Sequence, residues 1–294
     1  MTPQEYYVSQ SPFSNPGQFA SLYDELPDDI DSLCRAIRGV YVHYMDGRFS
    51  QQRKQEVDLR YISAILEQIL KHDNRLLSER RPKAKRVVGC CRDAALLLCS
   101  MLRHKGIAAR IRVGFATYIR AVGENFNADH VITEYWDKSA QEWKLVDPEQ
   151  GEALIKANRI DFDVHNIPRD RFLVGGKAWQ MCRSGEANPE VFGDSPGSFF
   201  SGMWPIRNRL ILDLAALNKA EVLLWDTWEW LEHHFRPTAK DEHLLDHMAV
   251  LTQGGDVAFQ DLQTLYSDER FKAPATVMCY SPAATWHTVD LETI

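Results

Sequence analysis

The sequence predicts an α+β fold in which N-terminal helices and one cysteine-bearing helix pack on an antiparallel sheet, with a mostly helical C-terminal extension. Three observations predict it. Apolar residues recur at helical spacing up to about residue 105. From Ala108 to Asp147 they alternate instead with a period of two, in three runs. Two of those runs are joined by DKSAQE, short enough for a hairpin, which makes the strands antiparallel.

Residues 1–26 are rich in Ser, Pro, Gln and Tyr and read as an irregular surface arm. After Pro27 the run DDIDSLCRAIRGVYVHYM reads as a helix, with acidic residues in its first turn and Ile30, Leu33, Ile37 and Val40 at helical spacing. Gln52 to Leu77 is a second helical region, with Val57, Ile62, Ile65, Ile69 and Leu70 on its core side. The segment RLLSERRPKAKR is a basic, solvated connector. A helix then opens at Cys90–Cys91, and Gly106 closes it where glycine accepts a left-handed backbone. The strands follow: Ala108 to Ile119, His130 to Trp136, and Trp143 to Asp147. Beyond Gly151 a polar stretch runs to about residue 202, and helices are expected at 210–231, 241–251 and 257–266. No clean linker is visible. The chain therefore divides into an arm and helices (1–85), a core (86–150) and an extension packed on that core (151–294).

Composition excludes several classes. Apolar residues make up 45% and charged residues 26%, as in ordinary globular proteins. A net charge of −7 argues against a nucleic-acid binder or an anionic-membrane binder. No run approaches the roughly 20 apolar residues of a membrane span. The N-terminus lacks a basic start followed by an apolar run, so a cytoplasmic location with reduced thiols is expected. The six cysteines show no repeated CxxC spacing. His243 and His247 sit four residues apart, but Leu244 stands where a zinc protease needs glutamate, so an amphipathic helix explains them. Trp179, Trp204, Trp225, Trp228 and Trp230 read as core and cap packing.

The adjacent cysteines in VVGCCRDAALLLC carry the chemistry. On a helical projection Ala94, Ala95, Leu98, Met101 and Leu102 define the apolar side, with Cys91 near its middle and Cys90 toward its edge. Arg92, Asp93, Ser100 and Arg103 define the polar side. Cys91 also falls in the first turn, where free N–H groups and the helix dipole favour an anion and lower a thiol pKa. Cys91 is therefore the candidate nucleophile and Cys90 its neighbour or spare. Such a nucleophile needs a base, and the base needs an orienting group. His130 shares a strand face with Ile132 and Trp136, and Asp147 shares one with Trp143 and Leu145. Pairing through DKSAQE puts His130 and Asp147 opposite or diagonal, within hydrogen-bond reach.

The order GCCRDAALLLCSMLRHKGIAARIRVGF, DHVITEYW and WKLVDPE resembles the core of the transglutaminase-like superfamily. The matching pieces are Gly89-Cys90-Cys91, Gly106-Ile107-Ala108-Ala109-Arg110, the histidine strand, and Trp143 to Pro148. The resemblance implies a papain-related core with Cys91, His130 and Asp147 as catalytic residues. Many relatives place a tryptophan upstream of the cysteine to help hold the oxyanion. The first tryptophan here is Trp136, so the backbone N–H of Cys91 is one donor and a second is unassigned.

These readings predict a cysteine-dependent acyl-transfer enzyme acting on a peptide, amide or thioester substrate, released to water or to an amine. Hydrolysis is favoured because water needs only an open site. No metal and no organic cofactor is implied. A thioester-fed acyltransferase is a second reading, weakened because the Arg-Gly-Gly-x-Cys motif of arylamine acetyltransferases is absent. A catalytically silent binding module on the same fold is a third. The basic run from Arg75 to Arg86 offers it weak nucleic-acid contacts, or could hold an anionic substrate handle.

Overall fold

The computed structural model describes residues 1–283 and 286–291. Along the chain lie α1 (Pro3–Val8), α2 (Ile30–Val40), β1 (Tyr41–His43), α3 (Gln51–Lys54), α4 (Ile62–His72), β2 (Val87–Gly89) and α5 (Cys91–His104). There follow β3 (Ala109–Ala116), β4 (Asn127–Asp137), β5 (Glu142–Val146), α6 (Glu152–Asn158), β6 (Phe172–Val174), α7 (Gly175–Arg183) and β7 (Phe192–Gly193). The last elements are α8 (Met203–Leu217), β8 (Asp226–Thr227), α9 (Ala239–Leu251), α10 (Phe259–Tyr266), β9 (Thr276–Cys279) and β10 (His287–Asp290). The α+β class is as expected: helices pack on a mainly antiparallel sheet of order β5-β4-β3-β6, with β7 parallel to the start of β4.

Helix α5 is the centre of the molecule. It ends as its sequence requires, with Gly106 at φ +71°. The Ile107 N–H bonds Leu102 O at 2.9 Å and the Gly106 N–H bonds Arg103 O at 3.1 Å, the paired bonds of a Schellman motif. The expected polar side of α5 is not solvated, because Arg92, Asp93, Ser100 and Arg103 are all buried. Asp93 bonds locally to the Cys90 N–H and Arg92, and the other three bond to distant segments that periodicity could not place. Arg92 reaches Glu221 O and Arg60 O. Arg103 reaches Glu221 Oε1 at 3.0 Å and Ser14 Oγ at 2.7 Å. Ser100 Oγ donates to Ser14 O at 2.6 Å.

Several local expectations are corrected. Residues 1–26 are not an irregular arm: they form α1 and a 3₁₀ turn over Gly17–Tyr23, and Tyr7 Oη donates to Leu217 O at 2.7 Å. The first long helix stops at Val40, because YVH leaves it as β1 to pair with β2 in parallel. The second region breaks at Leu59–Tyr61, so only Ile62–His72 forms a long helix, and Leu70 is half-buried. The basic connector is partly internal: Arg81 is buried, and its guanidinium serves the carbonyls of Asp73, Arg75, Leu76 and Glu79. The helix expected at 210–231 is Met203–Leu217; the chain then turns into a loop that leads to β8.

The segment beyond residue 150 does more than pack on the core. β6 pairs with β3 inside the main sheet, and β8, β9 and β10 form a sheet of their own. Gly114 makes the first pairing possible, since a Cβ there would lie 2.2 Å from Leu173 O. Helix α8 covers the arginines of β3. Arg112 bonds Asp213 through two nitrogens at 3.0 and 2.8 Å. It shares Glu134 with Arg110 and Arg169, the contacts being 3.1, 2.7 and 2.7 Å. Burial pushes the Glu134 carboxyl up, but the three guanidiniums outweigh it and hold it well below the usual range. Replacing Glu134 with Ala would leave buried arginines uncompensated. The expected loss is about 3–5 kcal/mol in urea unfolding at pH 7. A loss below about 1 kcal/mol would mean that Arg110 and Arg112 are satisfied without it.

Candidate active site

Cys90 is the N-cap of α5 and Cys91 its first helical residue. The Asp93 carboxylate accepts from the Cys90 N–H at 2.8 Å, fixing the turn that presents Cys91 at the helix N-terminus. His130 arrives on β4, opposite Gly114 of β3, where no side chain competes for space. Asp147 follows β5. The β4–β5 register pairs Thr133 with Val146, which sets His130 and Asp147 diagonally.

The structure brings the three predicted residues together. His130 Nε2 lies 2.8 Å from Asp147 Oδ2. Asp147 is fully buried, and its carboxylate also accepts from Tyr118 Oη at 2.8 Å and from the Glu149 N–H at 3.0 Å. With Nε2 engaged, His130 Nδ1 is left for the cysteine. The Cys91 sulfur, a ring nitrogen of His130 and a carboxylate oxygen of Glu149 lie within 4.8 Å of one another. Cys91 is 5% exposed, so its sulfur is largely enclosed.

The electrostatics follow. The Cys90 thiol beside it, together with the imidazoles of His130 and His43, holds the Cys91 thiol well below its ordinary value against the cost of burial. Burial pushes Cys90 the other way, well up. Burial alone would lower His130, but the Asp147 carboxylate overrides it and raises it well above the usual histidine value. Asp147 is lowered, because the His130 charge and the Tyr118 hydroxyl outweigh burial. These shifts favour a thiolate–imidazolium pair.

Sequence reasoning missed His43, Glu149, Tyr118 and Tyr41 here. His43 reaches the site because β1 runs parallel to β2, directly ahead of Cys91. The Met45 N–H donates to His43 Nδ1 at 3.3 Å, which leaves the proton of the neutral ring on Nε2. Glu149 closes the Asp-Pro-Glu sequence and accepts from Tyr41 Oη at 2.7 Å. Burial raises its carboxyl to about 7. Tyr118 lies two residues past β3. Only Glu149 carried a signal, its place inside the WKLVDPE run. His243 and His247 are exposed on α9, and the group of Cys91, His130 and Glu149 does not include them.

Residues 50–148, which carry α4, the Cys91 helix and the strands that position His130 and Asp147, match the family model of the transglutaminase-like superfamily. That match begins well upstream of the motifs that carry the resemblance and ends beside Asp147. Among solved structures, the chain is similar to one named "Putative Cysteine Protease" from Cytophaga hutchinsonii, at 15% identity and a TM-score of 0.33 over 58% of this chain. The similarity spans 45% of that protein, less than half its length. No curated protein matches the sequence. Among the described residues, no helix is long and apolar enough to cross a membrane.

Proposed function

We propose that the protein is a cysteine-dependent acyl-transfer enzyme that hydrolyses a peptide or amide bond, with Cys91, His130 and Asp147 as its catalytic residues. The observation that carries this reading is the connected row from the Cys91 sulfur through His130 to a fully hydrogen-bonded, buried Asp147. Cys91 thiolate attacks the carbonyl carbon, and the carbonyl π electrons move onto oxygen. The backbone N–H of Cys91, without an intrahelical acceptor by its position, and the His43 Nε2–H are the donors for that oxyanion. As the C–N bond breaks, His130 Nδ1–H protonates the departing amine, leaving a thioester on Cys91. Water then attacks the thioester while His130 takes its proton, and the acid leaves as the thiolate reforms. Asp147 keeps the ring oriented and stabilises its cationic form.

The test is covalent. Mixed with an activated ester such as p-nitrophenyl acetate, the protein should gain one acetyl group, mapped to Cys91, with a burst of nitrophenol. Cys91→Ser should show neither. Acylation elsewhere, or none, would sink the proposal. Added primary amines that capture the acyl group in preference to water would replace hydrolysis by transamidation.

A further inference from the structure

We propose that Cys91, His130 and Glu149 form a binding site for a zinc-type divalent cation, and that an ion held there switches the nucleophile off. Glu149 has no part in the acyl-transfer chemistry. The inhibitory consequence rests on that reading of Cys91, whereas the site itself does not.

Three features support the site. Thiolate, imidazole and carboxylate are the donor set zinc prefers, and here they converge to within 4.8 Å of one another. A tetrahedral zinc, with bonds of about 2.0–2.3 Å, places its donors roughly 3.3–3.8 Å apart. His130 Nδ1 and Glu149 Oε2 are already 3.9 Å apart, so the side chains need close by only about 1 Å.

The supporting layer is also built. Asp147 holds His130 Nε2 at 2.8 Å, so the lone pair of Nδ1 can face an ion; this is the carboxylate–histidine arrangement that orients metal ligands. Tyr41 Oη holds Glu149 Oε1 at 2.7 Å and leaves Oε2 turned toward His130.

Charge is the third feature. A carboxylate beside a thiolate is repulsive inside a protein, and a dication between them removes the repulsion. His43 does not join the set, because the Met45 N–H occupies its Nδ1 and its Nε2 carries the proton. Three protein donors leave one coordination position for water. On binding, the site releases the His130 imidazolium proton to solvent, and the sulfur lone pair bonds the metal instead of a carbonyl carbon.

The experiment is alkylation of Cys91 by iodoacetamide, read peptide by peptide, on the full chain with a thiol-free reductant and increasing zinc chloride. Saturable protection of tenfold or more, reversed by a chelator, is the expected result. Glu149→Gln should weaken the zinc midpoint by about tenfold or more, while Tyr41 keeps an acceptor. Unchanged protection in Glu149→Gln would overturn the site. Cobalt(II) gives a second readout that needs no variant: the wild-type chain should show a thiolate-to-cobalt charge-transfer band, and its absence overturns the site. If Cys91 alkylates slowly without zinc yet the cobalt band appears, the site stands and the nucleophile assignment falls. If Cys91 alkylates fast and zinc does nothing, the reverse holds.

Discussion

At pH 6 Cys91 is expected to keep a far larger share of the iodoacetamide reactivity it has at pH 9 than a thiol of ordinary acidity, which keeps less than about 1%. The reason is the company of its sulfur. The Cys90 thiol, His130 and His43 all favour the thiolate, and the helix N-terminus adds to them. The protein supplies its own controls. Burial pushes Cys34 and Cys99 up to about 12 and Cys182 to about 11, so their rates should climb steeply between pH 6 and 9. Because the Cys91 sulfur is so enclosed, the midpoint of its pH profile is the quantity to compare, not its absolute rate. His130→Ala removes a cation and a donor together. The midpoint should then move up toward the ordinary thiol range, and the rate at pH 6 should fall by about tenfold or more. A fast Cys90 would mean that the nucleophile is misassigned.

Asp147 should show the largest stability effect of the site. Replacing it with Ala strands a raised, buried His130 and the Tyr118 hydroxyl, at an expected cost of about 3–5 kcal/mol. Asp147→Asn keeps the shape and loses the charge. It should cost less stability yet return the Cys91 profile toward that of an ordinary thiol, since the imidazolium is no longer supported. The pH dependence has a definite sign. Asp147 is lowered in the folded chain, so its contribution is complete above its ordinary value of 3.8 and is lost as pH falls through the folded value. His130 is raised, so its contribution is complete below 6.5 and is lost as pH rises through its folded value. Stability lost by Asp147→Ala should therefore be greatest between about pH 4 and 6.5 and shrink on either side. Urea unfolding of the two chains from pH 3 to pH 10 measures it. A difference that is flat across that range would mean that the carboxylate and the imidazole are not coupled.

The parts of this molecule readable in its sequence are those fixed by short-range pattern. Period-two alternation placed β3, β4 and β5, and Gly106 placed the end of α5, because each signal lies within the element it describes. The diagonal of His130 and Asp147 follows from one hairpin. What escaped depends on partners far along the chain. His43 looked like the tail of a helix, because nothing near it announces the pairing of Tyr41–His43 with Val87–Gly89. Strand β6 is three residues long, too short for periodicity to register, and only its pairing with β3 makes it a strand. Arg92 and Arg103 read only as part of a polar side, because helical projection cannot see Ser14, Arg60 or Glu221 arriving to cover them.

The ties from Tyr7 to Leu217 and from Gln4 to Asp256 join positions 210 and 252 residues apart. Loop closure over such spans comes late in folding, and high contact order slows the whole process. During synthesis Cys91 and His130 emerge long before α8 and the residues that bury Arg92 and Arg103. Between the synthesis of α5 and that of Glu221 the nascent chain thus carries a half-covered central helix and exposed apolar surface, the condition in which chaperones are needed. The packing around Arg92 and Arg103 closes only once Glu221 has been made.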